Sequence, residues 1–402
     1  MSDATTERDQ RVSSTARDER VSSTARDQRA PGLAEGGSAP QESPANRLVF
    51  LPRGEFITTL RARVDEYFGD RPRADDARLW RKAAFIAVWF LGSYGLLLTV
   101  QSGWAQLLLC VSYALAASAL GFNVFHDANH GSFSSSRRVN LLVSRLTCMV
   151  LGPSRYLWRH KHHVLHHVYT NVFQWDDDIE TRGYLRMSPR QPWQPKFRGQ
   201  HLFFFALYGC NTLEWFFSKN FIQYFTLRIN PYMTIPGMSR ADKIEFWANN
   251  AFYFTFFVAL PFALQPAWKV LIGLVVFHLL FGTALALIFQ LAHGTEKVQF
   301  PEPTGHQPAS IDDEWAAHEL RTTVNFGVGN RLLNWYAGGL NFQIEHHLFP
   351  HISHTHYPGM SAVVRSTALE FGLPYNLHET YLGAVLSHYR FIRGLGIAPQ
   401  PA

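Results

Sequence analysis

Histidine is placed unevenly in this 402-residue chain. Residues 126–130, 160–167 and 346–356 are 24 positions that hold 12 of the 19 histidines. An imidazole is a poor core residue and a mediocre helix former, but a good nitrogen ligand for zinc, copper, iron or nickel. In the first cluster, HDANH, His126 and His130 stand i, i+4, one above the other on a helix face. In the second, WRHKHHVLHHVYTN (158–171), His163, His166 and His167 fall within an arc of about 100° on a helix, while His162 and His166 are again i, i+4. His166 and His167 diverge too far to share one small ion easily, but suit two neighbouring ions. The third cluster, GGLNFQIEHHLFPHISHTHYP (338–358), repeats the i, i+3, i+4 spacing as Gln343, His346 and His347. His351, His354 and His356 follow beyond a proline. His293 (QLAH) stands alone at the end of an apolar stretch, in a position matching that of His126.

Together these supply about eight imidazoles and no cysteine. One ion takes about four to six ligands, so eight or more imply two ions. The three cysteines, Cys110, Cys148 and Cys210, form no C-x-x-C pair, which excludes a disulfide scaffold and a Cys-based zinc site. HELRT (318–322) and HETYL (378–382) lack the second histidine of a zinc protease, and the paired Glu-x-x-His of carboxylate-bridged di-iron bundles is absent. A His-rich di-iron centre fits best. Asp127, Asp176, Asp178 and Glu345 lie close enough in sequence to orient imidazoles, although the ordinary reading of each is a solvated or capping group.

The elements that must position these residues are apolar. Stretches 83–101, 104–125, 246–264 and 268–292 contain no Asp, Glu or Arg, and Lys269 sits at an end. Nineteen helical residues rise about 28 Å, close to the hydrocarbon core of a bilayer. Short joins make two hairpins, so His126 and His293 emerge on one side. Arg71, Arg73, Arg78, Arg81 and Lys82 precede the first stretch, and Arg137, Arg138, Arg145, Arg159 and Lys161 follow the second. The positive-inside rule places that side, with both termini, in the cytoplasm. The membrane would be the plasma or inner membrane of a bacterium, or the endoplasmic reticulum of a eukaryote. The expected fold is an all-α integral membrane protein. It has four transmembrane helices in two hairpins and a helical cytosolic cap holding the di-iron centre.

The near-zero mean hydropathy of −0.09 conceals this, because a polar segment dilutes it. Residues 1–45 repeat RDQRVSSTA as RDERVSSTA and cannot bury enough apolar surface to order, so they are expected to be a disordered tail. They contain no apolar secretory core, and their acidic residues outnumber the basic ones, unlike a mitochondrial leader. The remainder is basic, which membrane lipids and topology explain without a nucleic-acid partner. Residues 55–68 place Phe56, Leu60, Val64 and Phe68 on one helix stripe, for the membrane surface or for the chain's own domain. Residues 202–226, interrupted by Glu214, Lys219 and Asn220, are expected to be interfacial or re-entrant.

HDANH (126–130), HKHHVLHHVYTN (160–171), DDDI (176–179), QLAH (290–293), WAAHELRTTVNF (315–326) and GGLNFQIEHHLFP (338–350) occur in an order that resembles the membrane-bound fatty acid desaturases. The resemblance is strongest to the front-end, linoleoyl-CoA (Δ6-type) group, marked by the glutamine that opens the third box. It spans roughly 55–390 and implies a desaturase domain at 46–390, followed by a tail at 391–402. It implies two non-haem irons, O₂ as co-substrate, and a cis double bond placed in an acyl-lipid or acyl-CoA chain. By position the ligands would be His126, His130, His162, His166, His167, His293, His346 and His347, with Gln343 in the remaining place. His163 stands where relatives commonly have Asn. Helix geometry favours His163 and family spacing favours His162, so both stay candidates, His162 first and His163 second. The His-Pro-Gly-Gly haem motif is absent, which implies a separate ferredoxin or cytochrome b-type electron donor. The acyl chain would enter an apolar tunnel, carboxyl end toward the cytosol. His318 matches a family position without an assigned role.

Two other readings remain. A His-box hydroxylase or ketolase of another lipid would retain oxygen in its product, and the Q-x-x-H-H box argues against it. A metal transporter would place ligands near the bilayer midplane, whereas these clusters lie beyond the span ends.

Overall fold

The computed structural model describes residues 48–305 and 309–399. The repeats at 1–45 lie outside the described residues. Among the described residues, three helices are long and apolar enough to cross a membrane by length and composition. The first, α2 (Ala77–Thr99), follows α1 (Glu55–Phe68). Asp76 caps α2 by accepting the Arg78 amide, and Phe85, Val88, Leu91 and Leu96 are exposed along it, an apolar outer face. The second, α3 (Gly103–His130), leaves a short turn and runs unbroken through a π-helical turn at Gly121–Phe125 into His126–His130. The third is α8 (Ala267–His293).

The helix expected at 246–264 begins earlier. Helix α7 starts at Arg240–Tyr253 and continues through a π turn at Phe254–Ala259 into Leu260–Leu264. It carries Asn249 and Asn250, both buried, and Pro261, and is not among the three. Ser239 opens it with a capping box against Asp242. Segment 202–226 becomes α6, which runs from Phe204–Glu214 through Trp215–Lys219 to Asn220–Thr226. It too is not among the three. It packs along α8 where neither helix has a side chain: a Cβ on Gly282 would lie 2.5 Å from the Gly209 carbonyl oxygen.

The polar cap is built on α1, whose stripe of Phe56, Ile57, Leu60, Val64 and Phe68 packs against Met360, Val364 and Ala368 of α12 (Tyr357–Glu370). Of the two uses open to this helix, packing on its own domain is the one realised. Between α3 and α6 lie α4 (Arg137–Leu151) and α5, the latter comprising Arg155–Arg159 and a π turn, His160–His166. After α8 come α9 (Trp315–Thr322), α10 (Arg331–Tyr336) and α11 (Gln343–Leu348). The last helix, α13 (Tyr381–Leu395), runs past residue 390, where a tail was expected. Its end is held by Arg186, whose guanidinium donates to the Leu395 carbonyl at 3.1 Å.

An all-α expectation misses two small parallel pairs. Strand β1 (Leu48–Leu51) pairs with β2 (Ala309–Glu314), and β3 (Asn325–Phe326) with β4 (Leu377–His378). Such short strands have no periodicity to announce them. Strand β3 nevertheless positions the third box. The Asn325 side chain accepts the Ile344 amide at 2.9 Å and donates to Glu345 at 2.8 Å. Gly338, at φ +60°, lets the same segment approach the π turn of α3; a Cβ there would lie 2.5 Å from the Phe122 carbonyl oxygen.

Candidate metal centre

The end of α3, the π turn of α5, the end of α8 and all of α11 converge. His126, His130, His162 and His346 bring one ring nitrogen each to within 4.8 Å of one another, and His166, His293 and His347 form a second such group. The π turn arranges the second box: the His167 amide donates to the His162 carbonyl at 2.9 Å, five residues back, which changes the faces that an α-helical spacing predicts. Asn171, in the left-handed region at φ +61°, ties this turn to its neighbours by donating to the carbonyls of His293 at 2.8 Å and Thr322 at 3.2 Å.

The rings are oriented from behind. His166 Nδ1 lies 3.0 Å from Asp176 and 3.4 Å from Asp178. His347 Nδ1 lies 2.7 Å from Glu319, whose other partner is the Thr170 hydroxyl at 3.0 Å. His346 Nδ1 faces the Tyr357 hydroxyl at 3.3 Å, and His293 Nδ1 faces the Thr322 carbonyl at 3.3 Å. Such contacts fix the tautomer and leave Nε2 with its lone pair free. The Nε2 atoms then point inward. Those of His130, His166 and His346 are buried and unbonded, as is Oε1 of Gln343. His162 Nε2 lies 3.2 Å from His126 Nε2 and 3.1 Å from His167 Nε2. Gln343 places its amide 3.0 Å from His293 Nε2 and 3.2 Å from His347 Nε2. Lone pairs crowded together repel unless a cation sits among them, so this donor set fits metal. Nitrogen-rich surroundings without thiolate suit zinc, copper, iron or nickel.

Electrostatics agree at four of these rings and differ at His166. Burial, followed by neighbouring imidazoles, holds His162, His167, His346 and His347 well below the ordinary histidine range, so they stay neutral. At His166 burial also lowers the value, but Asp176 and Asp178 outweigh it and raise it to about 9. Behind them Lys161 is salt-bridged to Asp178 at 2.9 Å and to Asp177 at 3.3 Å, and Lys219 reaches Asp177 at 2.9 Å.

The structure separates residues that the sequence left together. His162 joins the first group. His163 joins neither, although its ring centroid lies 4.2 Å from that of His130. His167 lies between the groups, with ring centroids 4.6 Å from His346 and 4.2 Å from His347. Among the acids singled out, Asp176 and Asp178 do face an imidazole of the cluster. Asp127 instead meets His354 at 2.8 Å, and Glu345 accepts from Tyr375 at 2.7 Å and Asn325. Glu319 was missed. The only signal for it was its place in WAAHELRTTVNF, beside a histidine that drew attention instead. His318 itself is buried edge-on to Phe50 at 5.1 Å, and His356 lies against Phe68.

Comparison with known proteins points the same way. Residues 102–378 match the family model "Fatty acid desaturase". The chain is 34% identical over 362 residues to an sn-1 linoleoyl-lipid 6-desaturase of Synechocystis sp., covering 88% of this chain and 99% of that protein. It is 33% identical to a protein of the same description from Arthrospira platensis, over 89% and 97% of the two chains. An acyl-lipid (8-3)-desaturase of Mortierella alpina is 30% identical, over 89% and 81%. With histidine clusters able to hold metal at the ends of apolar helices, the chain belongs to the fatty acid desaturase family and is an oxidoreductase that desaturates fatty acyl chains in lipid metabolism.

Proposed function

We propose that this chain is an O₂-dependent, front-end acyl-lipid desaturase that places a cis double bond near carbon 6 of an acyl chain such as linoleoyl. The relatives described as linoleoyl-lipid 6-desaturases, matched over nearly their whole length, support that substrate class. The observation that carries the chemistry is the pair of inward-facing histidine groups, with the Nδ1 atoms of His166, His293, His346 and His347 held from behind.

In this reading two irons are held by His126, His130, His162, His166, His167, His293, His346 and His347, with Gln343 in the remaining place. Bound iron supplies the chemistry by which O₂, two electrons and two protons remove two hydrogens from adjacent methylenes and leave as two waters. The residues of the chain do the positioning. Asp176, Glu319, Tyr357 and the Thr322 carbonyl hold the ring tautomers, and burial of most of the histidines keeps bulk water from the reacting carbons. Electrons come from a separate ferredoxin or cytochrome b-type protein. The domain at 46–390 crosses the membrane four times, α2–α3 and α7–α8 being the two hairpins. The centre and both termini face the cytoplasm.

Expression in a host of known fatty-acid content, fed candidate acids, tests the activity. Mass spectrometry of derivatised lipids is expected to show one new double bond near the carboxyl end. Retained oxygen in the product would mean a hydroxylase or ketolase, and no new product would refute the reading.

A further inference from the structure

Eight of the ten candidate ligand residues are fully buried; only His130 and His163 keep some exposure. The centre therefore meets the outside at their edge. His163 is not in either ligand group, and its Nε2 is buried with no hydrogen-bond partner. Arg159 stands four residues before it, immediately ahead of the π turn, and its charge acts on the His163 ring. Arg159 is half-buried, its Nε is also buried without a partner, and no carboxylate among the described residues pairs with it. The nearby Arg155 and Arg145 are committed to Glu245, at 3.0 and 2.9 Å. A buried Nε–H without an acceptor is costly unless a ligand supplies one, and the planar fork of the guanidinium suits paired oxygens.

The spacing to the metal centre suggests which ligand. If the new double bond begins at carbon 6, carbon 1 is five bonds of about 1.5 Å away, or about 6 Å along an extended chain. The polar end of the substrate must then lie within one or two side chains of the centre. His163, 4.2 Å from His130 ring to ring, is at that remove. We propose that Arg159 and His163 bind the carbonyl end of the substrate, taking the carbonyl oxygen of its ester or thioester. This rests on the front-end reading above. Pinning the head makes the protein count carbons from the carboxyl end, so the pair sets the position of the double bond.

The test uses membranes of an expressing host, which supply reductant. Linoleoyl-phosphatidylcholine vesicles and linoleoyl-CoA are the two substrates, and iron is measured in the purified chains. Arg159→Gln is expected to raise the apparent KM about tenfold or more, from loss of a charge-assisted contact. It should also spread the double bond over neighbouring positions while iron stays at the wild-type level. The substrate whose KM rises is the one whose oxygens the pair reads. His163→Asn should likewise keep its iron. If Arg159→Gln loses iron, Arg159→Lys, which keeps the charge but not the fork, decides by the same two readouts. A wild-type KM and a single double-bond position in the Arg159 variant, or loss of iron in His163→Asn, overturns the inference. A front-end product from the wild type alongside unaffected variants sinks this inference alone. A wild-type double bond far from the carboxyl end sinks the front-end reading and this inference with it.

Discussion

Glu319 is 28 residues from His347 in sequence and 2.7 Å from its Nδ1 in space, whereas Glu345 is next to His346 and touches no imidazole of the cluster. That contrast gives a sharp test of the centre. Replacing Glu319 with Ala removes a buried carboxylate acceptor from a buried N–H. Burial pushes Glu319 well above the ordinary carboxylate range, so its hydrogen bond is worth about 0.5–1.5 kcal/mol when neutral and up to about 3 when charged, and loss of a group that orients a ligating histidine weakens metal affinity about 10–100-fold. The two figures agree, since tenfold is about 1.4 kcal/mol. The Thr170 hydroxyl, 3.3 Å from the same nitrogen, can take over part of the role, and Gln keeps an acceptor oxygen. Glu319→Gln is therefore expected near the lower figure and Glu319→Ala near the upper. The assay is competition for iron against a chelator of known affinity in detergent-purified chain, with Glu345→Gln as the comparison. Glu345→Gln disturbs Tyr375 and Asn325 and is expected to lower stability while leaving iron affinity within about threefold of wild type, below the tenfold expected of a group that orients a ligand. Equal iron loss in both variants, or greater loss in Glu345→Gln, would refute the assignment of Glu319.

Two further outcomes follow from packing and from charge. Gly282→Ala sets a Cβ against the backbone oxygens of Gly209 and Tyr208, which no side-chain rotation relieves, and should cost about 1–3 kcal/mol in thermal unfolding. Gly92→Ala, in open space, should not; matching midpoints would contradict the α6–α8 contact. His351 is held down to about 4, by burial first and then by Arg73 and Arg61. Its folded value lies below the unfolded value of about 6.5, so between those pH values the unfolded chain binds more protons and stability falls as pH falls. His351→Gln should flatten the fall in unfolding midpoint between pH 7 and 5, and an unchanged slope would contradict the half-buried neutral ring.

Much of the site was legible because its chemistry is local in sequence. His126 with His130, at the end of α3, and His346 with His347 and Gln343, on α11, each sit on one helix, so spacing alone grouped them. The choice between His162 and His163 was not legible, because an ideal α-helix was the wrong ruler for a π turn. Glu319, Tyr357 and Asn171 were invisible because each acts across the fold, through a partner that sequence distance does not reveal. Among the helices, α2, α3 and α8 announce themselves by hydropathy. The beginning of α7 at Arg240 does not, since a capping box and not apolarity sets it. The pairing of β1 with β2 joins residues more than 250 apart, and nothing in either four- or six-residue segment foretells the other.

Iron stoichiometry tests the central claim most directly. Purified, fully active chain should hold about two irons, as two groups of nitrogen ligands require. His167→Ala, which removes the ring lying between the groups, should lose iron and desaturase activity together. One iron or none in fully active protein, or full activity in His167→Ala, would contradict the account.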